Sequence, residues 1–256
     1  MPTAGDASVY VYGVVSAADR SDVSVGGVES ADVRTVEHAG LAALVSPLHA
    51  DELAAAREVR AHWRVLEEAS RGATVLPVRF GTVMESEDAV RGQLLEPNAQ
   101  EFTELLRELA GRVQLNVKGD YDEQRLLREV VQASRPIAEL RDRVNQLSEA
   151  AGYYDRIRMG ELVAAEVTQR RANDEALALS RLEPVAVAAR AEPAASQSGA
   201  FNLAFLVEKD ELDAFSEAVG ALRAELGERI TLRYVGPLPP YSFVETDLGA
   251  GAPAWA

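Results

Sequence analysis

The hydrophobic period of this chain alternates between two and about three and a half residues, and the order of those changes restricts the fold more than any single motif does. Ser8-Val-Tyr-Val-Tyr-Gly-Val-Val15 is β-branched, aromatic and apolar on both faces, which predicts a central strand. Residues 16–30 are polar with little periodicity. Residues 33–37 and 41–45 flank His38-Ala39-Gly40 and predict a hairpin. From Asp51 the spacing becomes helical: Leu53, Ala56, Val59, Trp63 and Leu66 lie three or four apart, and Gly72 stands where a helix would end. Residues 74–84 are strand-like again. Pro77 has no N–H to donate, so this strand belongs at a sheet edge or carries a bulge. Short helices are expected over 86–95 and 98–110, the second capped by Asn98 with Glu101 three residues on.

Residues 8–84 therefore follow the order β-(x)-β-β-α-β, the ferredoxin-like βαββαβ order with its first crossover reduced to irregular structure. The second half repeats that order more fully. Val113, Leu115 and Val117 alternate with Gln114, Asn116 and Lys118, marking a strand with one wet face. Asp120 and Glu123 resemble a capping box opening a long helical region over about 122–181. Within it Ile137, Leu140, Val144, Leu147 and Ala151 step three, four, three, four, a coiled-coil-like seam. Gly152 breaks the seam, a second helix follows to Ser180, and Glu183-Pro184 ends it, so an antiparallel helical hairpin is expected. Strands are expected at 185–191 and 201–208, a helix at 210–226 with Asp210 as cap and Gly227 beyond its end, and a last strand over 230–235. The expected class is α+β, with two ferredoxin-like α/β units, the second having its first crossover expanded into the hairpin. The expected domains are 1–110 and 111–256, with 236–256 as a C-terminal strap of the second.

Composition narrows function by exclusion. The 256 residues are enough for two modest domains and carry a formal charge of −15. Such acidity argues against nucleic acid as a partner, because phosphate binding concentrates Lys and Arg. The charge is spread as −7 over residues 1–119, −3 over 120–183 and −5 over 184–256, which suits solubility better than electrostatic docking. The absence of cysteine removes disulfide scaffolds, thiolate zinc sites and cysteine nucleophiles. No apolar run approaches the roughly 18 residues of a membrane span and no basic n-region opens the chain, so a cytoplasmic protein with no lipid-membrane partner is expected.

Candidate chemistry is sparse. His62 stands beside Trp63 on the first long helix, His49 precedes Asp51-Glu52, and His38 lies in the hairpin turn. None has a two-ligand spacing, so ordinary surface or half-buried histidines are expected and no metal. Asp120, Asp122 and Glu123 lack the spacing and glycine of a calcium loop, and helix capping accounts for them. No phosphate-binding loop or nucleophile elbow is present. No catalytic or cofactor-binding residue is therefore expected. An enzyme or small-molecule sensor on a ferredoxin-like scaffold stays as the alternative, since that fold hosts many functions.

Two segments carry more than structure. In Thr74-Val-Leu-Pro-Val-Arg-Phe-Gly-Thr82, alternation sets Leu76, Val78 and Phe80 on one face and Arg79 among apolar residues on the other. Arg79 is expected either to pair with a carboxylate, since an unpaired buried guanidinium is costly, or to meet a partner at the edge. Gly236-Pro-Leu-Pro-Pro-Tyr-Ser-Phe243 is expected to leave the last strand as extended, polyproline-like chain that cannot be helical. Its Tyr241 and Phe243 either seal the core or dock a partner. The candidate partner contacts are Pro77, Arg79 and Phe80 on the edge, Ile137, Leu140, Val144 and Leu147 on the seam, and Pro240 and Tyr241 on the strap.

Val75-Leu-Pro-Val-Arg-Phe-Gly-Thr82 and Gly236-Pro-Leu-Pro-Pro-Tyr-Ser-Phe-Val244 resemble signature stretches of the gas vesicle protein F/L family (GvpF/GvpL), on its F side more than its L side. Tyr10-Val-Tyr-Gly-Val14, Leu41-Ala-Ala-Leu-Val-Ser46, the helix with His62 and Glu67, Val113-Gln-Leu-Asn-Val-Lys118 and Asn202-Leu-Ala-Phe-Leu-Val207 follow in the family's order. Gln114 stands where the family often has Glu, and Leu238 where it often has Trp. The resemblance implies an accessory protein for building gas vesicles, the hollow protein shells that make cells buoyant. It implies binding to the small, apolar major shell protein of the GvpA type, as a carrier or a minor structural component, with other gas vesicle accessory proteins as further partners. It also implies a ferredoxin-like N-terminal domain, paired helices in the C-terminal domain, and neither enzymatic activity nor a cofactor.

Overall fold

The structure, a computed structural model, describes residues 8–19, 23–49, 56–193, 196 and 198–244. The chain divides into two compact units, Met1–Gln114 with Pro237–Ala256, and Leu115–Gly236.

The first unit contains β1 (Val9–Ser16), β2 (Arg34–His38), β3 (Leu41–Pro47), α1 (Ala56–Gly72), β4 (Leu76–Pro77), β5 (Val83–Met84), α2 (Glu87–Ala89) with a π-helical turn over Val90–Leu95, and α3 (Ala99–Glu108). Its sheet runs β2-β3-β1-β4, and β5 also pairs with β1. As its two apolar faces require, β1 is buried on both sides, with α1 against one and α3 among the elements touching it. The register with β3 slips between Val11 and Gly13, a bulge at Tyr12. The bulge shifts the alternation, so that Tyr10, Tyr12 and then Val15 enter one core. The expected helix start at Asp51 and Leu53 lies outside the described residues; from Ala56 the helix follows the predicted stripe.

Ala39 and Gly40 close the β2–β3 hairpin with φ of 51° and 82°, a two-residue turn in which both positions are left-handed. Glycine adopts this region freely, whereas alanine does so at a cost of roughly 1 kcal/mol. Ala39→Asn is therefore expected to raise stability by about 0.5–1 kcal/mol. Thermal unfolding checks this, and an unchanged or lower melting temperature would count against the turn geometry.

The single strand expected over 74–84 is two short pieces. Val78 N–H reaches Tyr12 C=O at 2.9 Å and Val11 N–H reaches Thr82 C=O at 3.0 Å, so Arg79, Phe80 and Gly81 loop out between two pairings with β1. Asn98 is not the expected side-chain cap: its Nδ2 donates to Leu94 C=O at 2.8 Å. Ser86 instead caps α2, accepting from Ala89 N–H at 3.1 Å.

The second unit is built from β6 (Arg112–Tyr121, which begins in the first), α4 (Glu123–Ala133), α5 (Arg135–Gln146), α6 (Tyr153–Leu182), β7 (Ala188–Ala191), β8 (Gly199–Glu208), α7 (Leu212–Leu226) and β9 (Ile230–Leu238). Its sheet runs β7-β8-β6-β9. Leu115, Phe201, Phe205, Phe215, Leu222 and Leu182 are among its core. Asp122, not Asp120, caps α4, accepting from Arg125 N–H at 2.8 Å, while Asp120 pairs with Arg233. The helical region breaks at Ser134 because Pro136 cannot continue a preceding helix. Asp210 lies in a short 3-10 turn ahead of α7 and does not cap it.

The C-terminal segment differs from expectation in two ways. The last strand continues through Gly236 and Pro237 to Leu238, and Tyr241–Phe243 is a 3-10 turn closed by Phe243 N–H on Pro240 C=O at 3.0 Å. Proline suits the start of a helical turn, where its missing N–H costs nothing. The segment also groups with the first unit, not the second, and the strap residues beyond Val244 lie outside the described ones.

Candidate functional site

The site grows from β1 and α1. Tyr10 and Tyr12 lie two apart on the strand, and Glu58, His62, Val65, Leu66 and Ala69 form the inward stripe of the helix. His62 is 1% exposed and sits at the centre. Tyr10 Oη lies 2.9 Å from His62 Nδ1, and Gly81 N–H donates to the same Oη at 3.0 Å. Tyr10 thus accepts from Gly81 and shares a second hydrogen bond with Nδ1. On the other side of the ring Nε2 shares a hydrogen bond with Tyr241 Oη at 2.9 Å, and the Val78 backbone is a further hydrogen-bond partner of the imidazole. Tyr12 stacks on the imidazole and Phe80 meets it edge-on, each with centroids 5.6 Å away. Tyr241 in turn packs on Trp63 at 4.7 Å.

Two further groups lock the surroundings. Tyr12 Oη accepts from Val28 N–H at 2.7 Å and shares a 2.8 Å bond with Ser46 Oγ. A Cβ on Gly27 would stand 2.1 Å from Tyr12 Oη, so only glycine fits there. Gly27→Ala is expected to cost about 1–3 kcal/mol by overpacking, read from urea unfolding; wild-type stability would refute the close approach. Buried Glu58 accepts from Glu29 N–H and from Arg57 Nε, both at 2.8 Å, which pins the left-handed Glu29 and Ser30. The Glu29 bond, ahead of the Arg57 guanidinium, holds the Glu58 carboxyl below the usual range. Gln114, expected on a wet face, is buried and grips Ser242 twice: its Nε2 donates to Oγ at 3.0 Å and its Oε1 accepts from N–H at 2.8 Å.

Burial pushes the Tyr10, Tyr12 and Tyr241 hydroxyls above their usual range and His62 down to about 4. The cluster is uncharged at neutral pH, and both imidazole nitrogens are occupied by tyrosine hydroxyls. A ligand could use His62 as a base only by displacing one of them. What the arrangement does is fasten three segments to one helix: the loop at Val28, the looped-out edge at Phe80 and Gly81, and the C-terminal segment at Tyr241.

The structure thus gathers Phe80 and Tyr241 around His62, a residue whose sequence context suggested only a surface or half-buried histidine. Pro77 is buried opposite Gly13, and Pro240 is buried beside Tyr241. Arg79 is exposed on the loop-out, with no carboxylate pairing it among the described residues. The seam residues belong to the other unit, where Ile137 and Leu140 are buried, Val144 is half-buried and Leu147 exposed. A second polar centre there also escaped the sequence: buried Asp174 on α6 accepts from Tyr121 Oη at 2.6 Å and from Arg229 Nη2 at 2.7 Å. Among the described residues no group of three His, Asp or Glu side chains is placed to hold a metal ion, and no helix is long and apolar enough to cross a membrane.

The family model described as gas vesicle synthesis protein GvpL/GvpF matches residues 8–245, and the chain belongs to that family. Gas vesicle protein F of Streptomyces sp. (strain CB03234) is 39% identical, over 93% of this chain and all of that protein. Gas vesicle protein F of Nostoc sp. is 27% identical, over 93% of this chain and 98% of that one. Among solved structures, the crystal structure of GvpF from Anabaena sp. PCC7120 superposes with a TM-score of 0.80 at 27% identity, covering 94% of this chain and 99% of that one. GvpF from Microcystis aeruginosa shares the fold with a TM-score of 0.77 at 24% identity, covering 94% and 100%. The chain is related to gas vesicle proteins, and these relatives all stand on the F side of the family.

Proposed function

We propose that this chain is an accessory protein of gas vesicle assembly that binds the small, apolar major shell protein of the GvpA type and holds it soluble until delivery. The observation that carries the reading is the family match over residues 8–245, a range that includes the two segments meeting at His62. A subunit that assembles through apolar surfaces and strand edges aggregates if left free. A chain of charge −15 that covers an edge or a helix keeps such a client dispersed.

The contact surfaces proposed are the edge at Pro77, Arg79 and Phe80, the segment at Pro240 and Tyr241 fastened behind it, and the seam Ile137, Leu140, Val144 and Leu147. Because Ile137 and Leu140 are buried, contact on the seam falls to Val144 and Leu147. The strand orders β2-β3-β1-β4 and β7-β8-β6-β9 support reading both sheets as ferredoxin-like units. The role needs no catalysis and no cofactor, places the protein in the cytoplasm with the vesicles, and admits other vesicle accessory proteins as partners. A pull-down with tagged shell protein tests it. Retention of the full chain is expected, reduced by Arg79→Glu; no retention at any salt concentration would end the proposal. Association that survives washing of intact vesicles at fixed stoichiometry would favour a structural component over a carrier.

A further inference from the structure

The outward face of α1 is positive in an acidic chain. Residues 56–72 hold four arginines and three glutamates, a net charge of +1, where the whole chain carries −15. Arg57, Arg60, Trp63, Arg64 and Glu67 stand three or four apart and line a shallow trough of about 450 Å³. Trp63 is 39% exposed there, and Tyr241 of the C-terminal turn packs on its ring at 4.7 Å. That turn, Tyr241–Phe243, brings no charged side chain. The same Tyr241 is bonded to His62, so the aromatic wall of the trough is fastened from behind.

The charges around the trough are committed except at two positions. Buried Glu58 takes Arg57 at 2.7 Å. Arg71 serves both Glu68 at 2.6 Å and Glu67 at 3.5 Å. In the turn packed on α1, Glu29 accepts from His49 N–H at 2.8 Å and faces its ring Nδ1 at 3.5 Å. Arg60 and Arg64 are exposed, lie one turn apart and form no ion pair among the described residues. Two uncommitted positive charges therefore flank Trp63, and Glu67 closes the far end of the trough. We propose that the trough binds an acidic segment of a partner protein, with two carboxylates on Arg60 and Arg64 and an apolar side chain on Trp63. Carboxylates four apart on a partner helix, with an apolar residue in the turn between, match the spacing of the two arginines. A second copy would bring its own −15 to the contact, whereas a short segment brings only the few charges the arginines neutralise. Two free arginines are too few for the phosphates of a nucleic acid. The proposal does not rest on the carrier reading.

The test uses the full chain and two labelled synthetic helices, followed by fluorescence anisotropy. One carries Glu pairs four apart with Leu between them, and the other has Gln at every Glu. The Glu peptide is expected to bind about tenfold tighter than the Gln peptide, an advantage that shrinks as salt is raised. Arg60→Ala with Arg64→Ala should bring the Glu peptide down to the level of the Gln peptide, while Glu67→Gln should tighten it about threefold. These side chains are exposed, so circular dichroism and melting temperature should stay at wild-type values. Location is read separately. Trp63 and Trp255 are the two tryptophans, so in a Trp255→Phe chain the emission of Trp63 should change as the Glu peptide binds. Equal binding of the two peptides, no binding, an unaffected double alanine variant or a silent Trp63 overturns the proposal. So does an oligonucleotide that binds as tightly as the Glu peptide, or a dimer that the double alanine variant dissolves while no peptide binds.

Discussion

Asp174→Ala is expected to lower the unfolding free energy by about 3–5 kcal/mol, the largest single-residue effect predicted for this chain. Asp174 sits on α6 with 4% exposure and receives Tyr121 Oη at 2.6 Å and the Arg229 guanidinium at 2.7 and 3.2 Å. Through it the long helix is tied to the end of β6 and to the turn before β9. Removing the carboxylate strands a partly buried guanidinium and a buried hydroxyl, and unpaired buried groups cost more than the pair gains. Asp174→Asn keeps the shape and one acceptor, so it should lose less. Urea unfolding of the full chain measures both, and a loss under about 1 kcal/mol for the alanine variant would mean the centre is dispensable.

The second large effect is on pH. An unfolded histidine titrates near 6.5, whereas burial holds His62 down to about 4. Above the unfolded value both states are neutral there. Between the two values the unfolded chain takes up a proton that the folded chain refuses, so stability falls as pH falls, by about 1.4 kcal/mol per pH unit and about 3 kcal/mol in all. Below the folded value the contribution levels off. Glu58 acts in the same direction at lower pH: its carboxyl is held down in the fold, so its stabilisation is present above the unfolded carboxylate range and is lost as pH falls through the folded value. His62→Gln should be less stable at pH 7 but should lose the slope between pH 6.5 and 4.5. A variant that keeps the wild-type slope would place the titrating group elsewhere.

Much of the fold was legible because local period and burial coincide. β1 is apolar on both faces and buried on both, and α7 presents its expected stripe of Phe215, Val219, Leu222 and Leu226 to the core. Pro77 announced an irregular edge, but where the chain rejoins β1 depends on Tyr10 Oη holding Gly81, across 71 positions. His62 was opaque for the same reason, since its partners stand 52 and 179 positions away and no spacing rule spans that distance. The one available signal was Tyr10 and Tyr12 side by side on a buried strand face, two hydroxyls that must find partners. Gln114 alternates correctly for a wet face, and alternation cannot see that the C-terminal segment returns to cover it. The break at Ser134 was hidden differently, because Ile137 to Leu147 keep one apolar register after it and draw attention from Pro136.

These stability effects concern the scaffold that holds the edge and the C-terminal segment; the proposed function turns on what those surfaces bind. The direct measurement is light scattering of the major shell protein diluted from denaturant with and without the full chain. Scattering should be delayed in proportion to the added chain, reach its limit at a fixed molar ratio, and leave a soluble complex of the two proteins. Scattering that rises as fast as with an unrelated acidic protein of similar size and charge, with no complex recovered, would contradict the account.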